Sequence, residues 1–221
     1  MPLLKAVLFD FDGTIVDTTE LIYRSLRHSV REVLKKELSR ETLMSGVGQP
    51  LPRQMEILAD GHPGKAQELL ETYHLFNEEH HEDMIRQVPN VEASLARLRD
   101  AGLRLAVVTS KRRHSVEMAL DSFPGLRDVA DVFVTMEDTA EHKPHPASLL
   151  KGLELLGNIS SERAAYVGDA PFDVAAARAA GTLSIAVSWG AFTEEALWAA
   201  GPDLLFKDLD SAIKFLLKVA G

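Results

Sequence analysis

The sequence has no cysteine, which excludes a disulfide framework, a thiolate nucleophile and any cysteine-ligated metal. That absence fits a reducing compartment, and the expected location is the cytoplasm. No apolar run approaches the ~18 residues of a membrane-crossing helix, so no membrane partner is expected. The opening MPLLKAVLFDFDG has a short apolar stretch, but two aspartates follow at once and no small-residue cleavage site comes after. It reads as a strand and not as a signal peptide. Positive charge is in deficit, with 24 Lys+Arg against 33 Asp+Glu and a net charge of −9. Such a chain has little bulk attraction for nucleic acid, and none is expected as a partner. Internal repeats and low-complexity tracts are also missing.

What is present is ample apolar material. Hydrophobic residues make up 46% and charged residues 26% of the 221 residues, which excludes general disorder and suits one domain, or a domain with a sizeable insert. The run Ala6-Val7-Leu8-Phe9, followed by Asp-Phe-Asp-Gly, reads as a buried strand ending in a turn. Asp17 and Glu20 are spaced as in a capping box, and Ile22, Leu26, Val30, Val33 and Leu34 recur at helical spacing. A helix from about Thr18 to Lys36 is predicted. The pattern stays helical to Gln87, broken at Gly46–Pro50 and Gly61–Gly64, with no convincing strand between Asp17 and Gln87.

From Pro89 the pattern alternates. Helices near Val91–Ala101, Ser115–Ser122, Pro146–Leu156 and Val174–Ala180 separate the apolar runs Leu105–Val108, Val132–Val134, Ala164–Val167 and Ile185–Val187. Such alternation predicts an α/β fold, a Rossmann-like parallel sheet flanked by helices. Residues 17–88 form an all-helical insert, leaving 1–16 and 89–221 as the core, with hinges near Val16 and Pro89.

In open α/β sheets ligands bind beyond the carboxyl ends of the strands. The residues that follow the apolar runs are Asp10 and Asp12, then Thr109, Ser110 and Lys111, then Gly168 and Asp169 with Asp173 one turn on. Lys143, in His-Lys-Pro-His-Pro, falls between the last two groups. At least three carboxylates should meet at one end of the sheet. Their repulsion calls for a proton or a cation. Oxygen-only donors favour a hard ion, Mg²⁺ best of all. A lysine and a hydroxyl beside that ion suit a phosphoryl group.

With these residues in this order the sequence resembles the haloacid dehalogenase superfamily, in its phosphatase branch, over nearly its whole length. Asp10-Phe11-Asp12-Gly13-Thr14 matches its first motif, Thr109 the second, Lys143-Pro144 the third, and Gly168-Asp169 with Asp173 the fourth. The helical insert is similar to the family's C1 cap, and residues 110–142 are too few for the larger cap of some relatives. The resemblance implies Asp10 as the nucleophile that forms an aspartyl-phosphate, and Asp12 as the acid and base for leaving group and water. It implies Mg²⁺ held by Asp10, the backbone carbonyl of Asp12 and Asp169, with Asp173 in an outer position. Thr109, the Ser110 backbone and Lys143 would hold the phosphoryl oxygens.

An acid at Asp12 favours phosphoryl chemistry over dehalogenation, because halide leaves unprotonated. Cap type, length and the Lys-Pro pair are most similar to phosphoglycolate phosphatases and inorganic pyrophosphatases of this branch. A sugar-phosphate mutase is the other enzymatic alternative. A phospho-receiver domain is disfavoured by the insert and the Asp-x-Asp, and a phosphate-binding protein without catalysis by the complete motifs. A small phosphorylated metabolite is the expected partner, with monomer and homodimer both open.

Two departures stand out. Relatives usually carry Ser or Thr where this chain has Ala170, which removes a hydroxyl near the metal and predicts a changed affinity or rate. Thr109-Ser110-Lys111 stands where relatives often read Thr-Asn-Lys. Gln49, Arg53 and Gln54 are candidates to touch the leaving group, since C1 caps place a substrate-facing loop there. Lys111, Arg112, Arg113 and His114 open a helix whose dipole they oppose, and would draw anions to the site. His80 and His81, among acidic residues, read as a solvated face. His145 is placed near Lys143, Trp189 at the rim, and Trp198 in simple helix packing.

Overall fold

Strand β1 (Ala6–Phe9) is buried along its whole length because it has neighbours on both edges and both faces. The computed structural model describes residues 3–220. After β1 the chain turns at Gly13 and forms β2 (Val16–Asp17), which pairs antiparallel with β3 (Arg86–Gln87), Val16 opposite Gln87 and Asp17 opposite Arg86. The apolar pattern gives no strand in this region, and strands of two residues leave no periodicity to read. The ribbon stands where the chain departs for the inserted helices and returns from them.

Those helices are α1 (Thr19–Ser29), α2 (Arg40–Met44), α3 (Leu51–Leu58), α4 (Pro63–Glu79) and α5 (His81–Met84). The single helix predicted for 18–36 is instead α1 continued by a π-helical turn, Val30–Leu34, which ends at Lys35 in a left-handed conformation. The capping box of Asp17 and Glu20 is not formed. Asp17 accepts from the Thr19 N–H at 3.1 Å, while Glu20 pairs with Arg24 and Arg40. Leu26, Leu43, Met55 and Leu69 close a separate apolar core among these helices.

His81 corrects the solvated-face expectation. It is 1% exposed and neither ring nitrogen has a partner, while His80 stacks on Phe76 with ring centroids 4.1 Å apart. Burial, with Lys111 nearby, lowers the His81 pKa below the ordinary imidazole value. The unfolded chain therefore binds the proton more readily below about pH 6.5. Stability should fall as pH drops from there toward the lower folded-state pKa. His81→Phe removes this contribution, and urea melts at pH 7.5 and 5.5 should show a smaller acid loss in the variant. An equal loss in both would remove His81 as the cause.

The rest of the chain is α6 (Val91–Asp100), β4 (Arg104–Val108), α7 (Arg113–Ser122), β5 (Val132–Val134), α8 (Ala147–Leu155), β6 (Ala164–Gly168), α9 (Pro171–Ala180), β7 (Leu183–Val187), α10 (Glu194–Ala200), β8 (Leu204–Phe206) and α11 (Leu209–Lys218). The six long-range strands make one parallel sheet in the order β5-β4-β1-β6-β7-β8. Val7, Phe9, Val107 and Val167 pack one face against Leu95, Val116 and Ile213. Leu8, Ala106, Val108 and Tyr166 pack the other against Leu149, Leu153 and Ala177. No described helix is long and apolar enough to cross a membrane.

Register then places the chemistry. Phe9 lies opposite both Val107 and Val167. The segments that leave β1, β4 and β6 thus emerge together at one rim, carrying Asp10, Thr109 and Asp169.

Candidate active site

Lys143 is the hub of that rim. Its ammonium, 2% exposed as a residue, donates to Asp10 Oδ1 at 2.9 Å, to Asp173 Oδ1 at 2.7 Å and to the Tyr166 hydroxyl at 2.9 Å. All three donors of the ammonium are thus placed. Burial alone would lower its pKa, but Asp10 and Asp173 outweigh that and hold it above the ordinary lysine value. Tyr166, which no sequence motif flagged, lies 2.9 Å from the Val108 carbonyl and 3.2 Å from Asp173 Oδ1. Strand alternation puts its side chain on the same sheet face as Leu8 and Val108, and only its polar tip reaches the cluster.

Asp10, Asp169 and Asp173 are all buried and offer oxygens within 4.8 Å of one another. Against this stands one ammonium. Burial pushes the Asp10 carboxyl up to about 7, with Asp173 and Asp12 adding to the rise and Lys143 opposing it. Burial likewise holds Asp169 well above the usual carboxylate range, helped by Asp173 and Asp10. A charge-deficient cluster of oxygens is what a hard divalent cation relieves. Asp173 is already committed, with Oδ1 on Lys143 and Oδ2 on the Ala170 N–H at 3.0 Å. Asp169 Oδ2 accepts from the Ala191 N–H at 2.7 Å. Its other oxygen and Asp10 Oδ2 make no hydrogen bond among the described residues, so these two fit as ligands and Asp173 as their support. The space is kept by glycine. A Cβ on Gly13, whose φ is +73°, would come within 2.2 Å of Asp169 Oδ2, and one on Gly190 within 2.1 Å.

The Asp12 carboxylate lies outside this cluster. It accepts from the Thr18 hydroxyl at 2.7 Å and the Lys111 ammonium at 2.9 Å, facing a cavity of about 330 Å³. The cavity is floored by Asp10, Asp12, Thr109, Ser110, Lys143 and Asp169 and roofed by the inserted helices. The Thr109 hydroxyl accepts from the Lys111 N–H at 3.2 Å. Ser110 Oγ reaches across to the Gly48 carbonyl at 2.9 Å. Gly48 passes so close to the loop after β6 that a Cβ there would lie 2.8 Å from the Ala170 methyl. The small residue at 170 thus admits the roof, a packing reason for the departure read from the sequence.

Gln49 and Gln54 line the cavity. Arg53 does not. It points outward and pairs with Glu56 at 2.9 Å, so it is no leaving-group contact in this structure. The basic turn is also not free to attract anions. Lys111 pairs with Asp12, Arg112 with Glu78, Arg113 with Asp138, and His114 lies 3.8 Å from Glu78. The Glu137 carboxylate accepts the Arg113 N–H, which supplies the anion that the N-terminus of α7 favours. His145 faces Glu141 at the surface. Trp189 donates its indole N–H to the Thr14 carbonyl at 3.3 Å, and Trp198 is 51% exposed where packing was expected. Sequence reasoning missed Tyr73, His74 and Asn77, which line the roof from α4.

The model of the haloacid dehalogenase-like hydrolase family matches residues 7–187. A PpaX relative from Caldanaerobacter subterraneus subsp. tengcongensis is 38% identical over 213 residues, covering 96% of this chain and 94% of the relative. Pyrophosphatase PpaX of Bacillus mycoides is 32% identical over 218 residues, covering 99% of each. Among solved structures, a predicted phosphatase from Clostridium acetobutylicum matches with a TM-score of 0.85 at 27% identity, covering 98% of this chain and 99% of that one. A predicted phosphoglycolate phosphatase from Haemophilus somnus, 24% identical, shares the fold at the same TM-score of 0.85, over 97% of this chain and 99% of its own. With the four motif positions gathered at one rim, the chain belongs to the haloacid dehalogenase-like hydrolases and is a phosphatase of that family.

Proposed function

We propose that this phosphatase is Mg²⁺-dependent and hydrolyses a small phosphorylated substrate through an aspartyl-phosphate on Asp10. The observation that carries the reading is the buried group of Asp10, Asp169 and Asp173 around the Lys143 ammonium, set beneath a cavity large enough for a small metabolite. A carboxylate oxygen of Asp10 attacks phosphorus as the bond to the leaving oxygen breaks, and Asp12 gives that oxygen its proton. Water then attacks the aspartyl-phosphate, Asp12 takes up its proton, and phosphate departs with Asp10 restored. The Thr109 hydroxyl and the Ser110 backbone hold the phosphoryl oxygens, and Lys143 joins them when the donor now on Asp10 turns to the phosphoryl group. Such contacts are each worth roughly 3–4 kcal/mol in a transition state.

Asp10, the Asp12 backbone carbonyl and Asp169 would hold Mg²⁺, with Asp173 fixed behind them. The ion, when bound, would neutralise the crowded carboxylates and the charge on the phosphoryl oxygens. Hydrolysis of an aryl phosphate should stop in EDTA and return with Mg²⁺, and Mg²⁺ alone should raise the melting temperature. Full turnover in chelator would exclude the metal assignment.

A second reading, pyrophosphate hydrolysis, is favoured by the end-to-end likeness to a protein named Pyrophosphatase PpaX. Release of phosphate from pyrophosphate, phosphoglycolate and other phosphorylated metabolites, compared by kcat/KM, separates the two.

A further inference from the structure

The roof of the cavity is the part of the site that meets whatever the phosphoryl group departs from. Ile22, Val47, Leu51, Pro52, Leu70 and Tyr73 make most of it. No lysine or arginine of the inserted helices reaches the cavity. Of the polar roof residues, Gln54 is tied to the Leu43 carbonyl at 2.7 Å, and Asn77 to Ser25 Oγ at 3.2 Å and to the Tyr73 hydroxyl at 3.5 Å. Gln49 and His74 remain. His74 is uncharged at neutral pH, because burial and the nearby Arg112 push its pKa down to about 4.

The three cations that line the cavity belong to the core, and one of them, Arg112, reaches up to α4 of the roof. Lys143 faces Asp10 and Asp173, Lys111 faces Asp12, and Arg112 faces Glu78. The phosphoryl group being transferred needs that floor charge. A second anionic group on the far side of the scissile bond would meet a mostly apolar wall whose one nearby cation, Arg112, is already paired with Glu78 of α4, which is an unfavourable way to bury charge. An uncharged apolar group would gain there by leaving water.

We infer that the preferred substrate is a phosphomonoester of an uncharged, largely apolar alcohol or phenol, rather than pyrophosphate or a carboxylated ester. Gln49 and His74 supply one or two polar contacts to such a leaving group, enough to orient it. The inference rests on the reading that hydrolysis takes place at Asp10.

The test measures kcat/KM of the Mg²⁺-loaded enzyme on ethyl, butyl and hexyl phosphate, with pyrophosphate, phosphoglycolate and acetyl phosphate alongside. The alkyl esters have nearly equal leaving-group basicity, so a trend along them reports the wall. A rise of about threefold to fourfold per added methylene is expected. Hexyl phosphate should also exceed pyrophosphate by roughly 100-fold. Leu51→Lys and Leu70→Lys place an ammonium on the wall at two half-buried positions. Whichever keeps the wild-type melting temperature should raise activity on pyrophosphate about tenfold and lower it on hexyl phosphate. A flat alkyl series, or pyrophosphate or phosphoglycolate preferred over hexyl phosphate, overturns the inference and leaves the Asp10 chemistry standing. Failure to hydrolyse any of these compounds, acetyl phosphate included, overturns both.

Discussion

Asp10→Asn is expected to lower kcat on an aryl phosphate by roughly 10⁴-fold or more, the scale seen when a nucleophile is removed. The amide has almost the same shape and can still accept from Lys143, so the fold should persist. Stability should in fact rise in metal-free protein. The wild-type carboxyl is held up to about 7 by its burial, above the ~3.9 of an unfolded chain. Between those values the folded state binds the extra proton, so wild-type stability falls as pH rises toward and through 7. The variant has no such proton to lose. Urea melts in EDTA at pH 5 and pH 8 should therefore show a gain for Asp10→Asn that is larger at pH 8. Near wild-type hydrolysis by this variant would end the covalent mechanism. A pH-independent difference in stability would end the account of the buried carboxyl.

Lys143→Met should cost both activity and structure. The substitution leaves Asp10 and Asp173 buried without the ammonium that lies 2.9 and 2.7 Å from them. Breaking a buried ion pair by removing one partner typically costs about 3–5 kcal/mol. Hydrolysis should fall by about 10²–10³-fold as well, since the donor proposed for the phosphoryl oxygens goes with it. Mg²⁺ should recover part of the stability, because it also supplies positive charge to the cluster, and little of the activity. Denaturant melts with and without Mg²⁺, paired with rate measurements, separate these effects. A loss below about 1 kcal/mol in EDTA would mean that the lysine does not hold this cluster together.

Most of this rim was legible from residue order. The runs that become β1, β4 and β6 are short, continuous and bounded by turns, so their ends could be placed, and with them Asp10, Thr109 and Asp169. What stayed hidden lacks such a pattern. β8 has three half-buried residues at the edge of the sheet, too few and too unevenly buried to stand out. Tyr166 sits in an apolar run where only the tip of the side chain is chemical. His81 lies between acidic neighbours, yet the packing of α5 against α7 and α1 buries it. Arg53 and the basic turn are neutralised in different ways. The partners of the basic turn, Glu78, Asp138 and Asp12, come from other segments, which a charge pattern along one segment cannot reveal, whereas Arg53 pairs one helical turn on with Glu56.

The unequal settings of Trp189 and Trp198, the only tryptophans in the chain, have an optical consequence. Trp189 is half-buried, anchored to Thr14 beside the first motif, and two residues from the amide that grips Asp169. Trp198 is about half exposed to water. The protein thus carries its own fluorophore at the rim together with a solvent-exposed reference emitter. Uptake of the proposed Mg²⁺ should therefore be readable through the bluer component of the emission without attaching a dye.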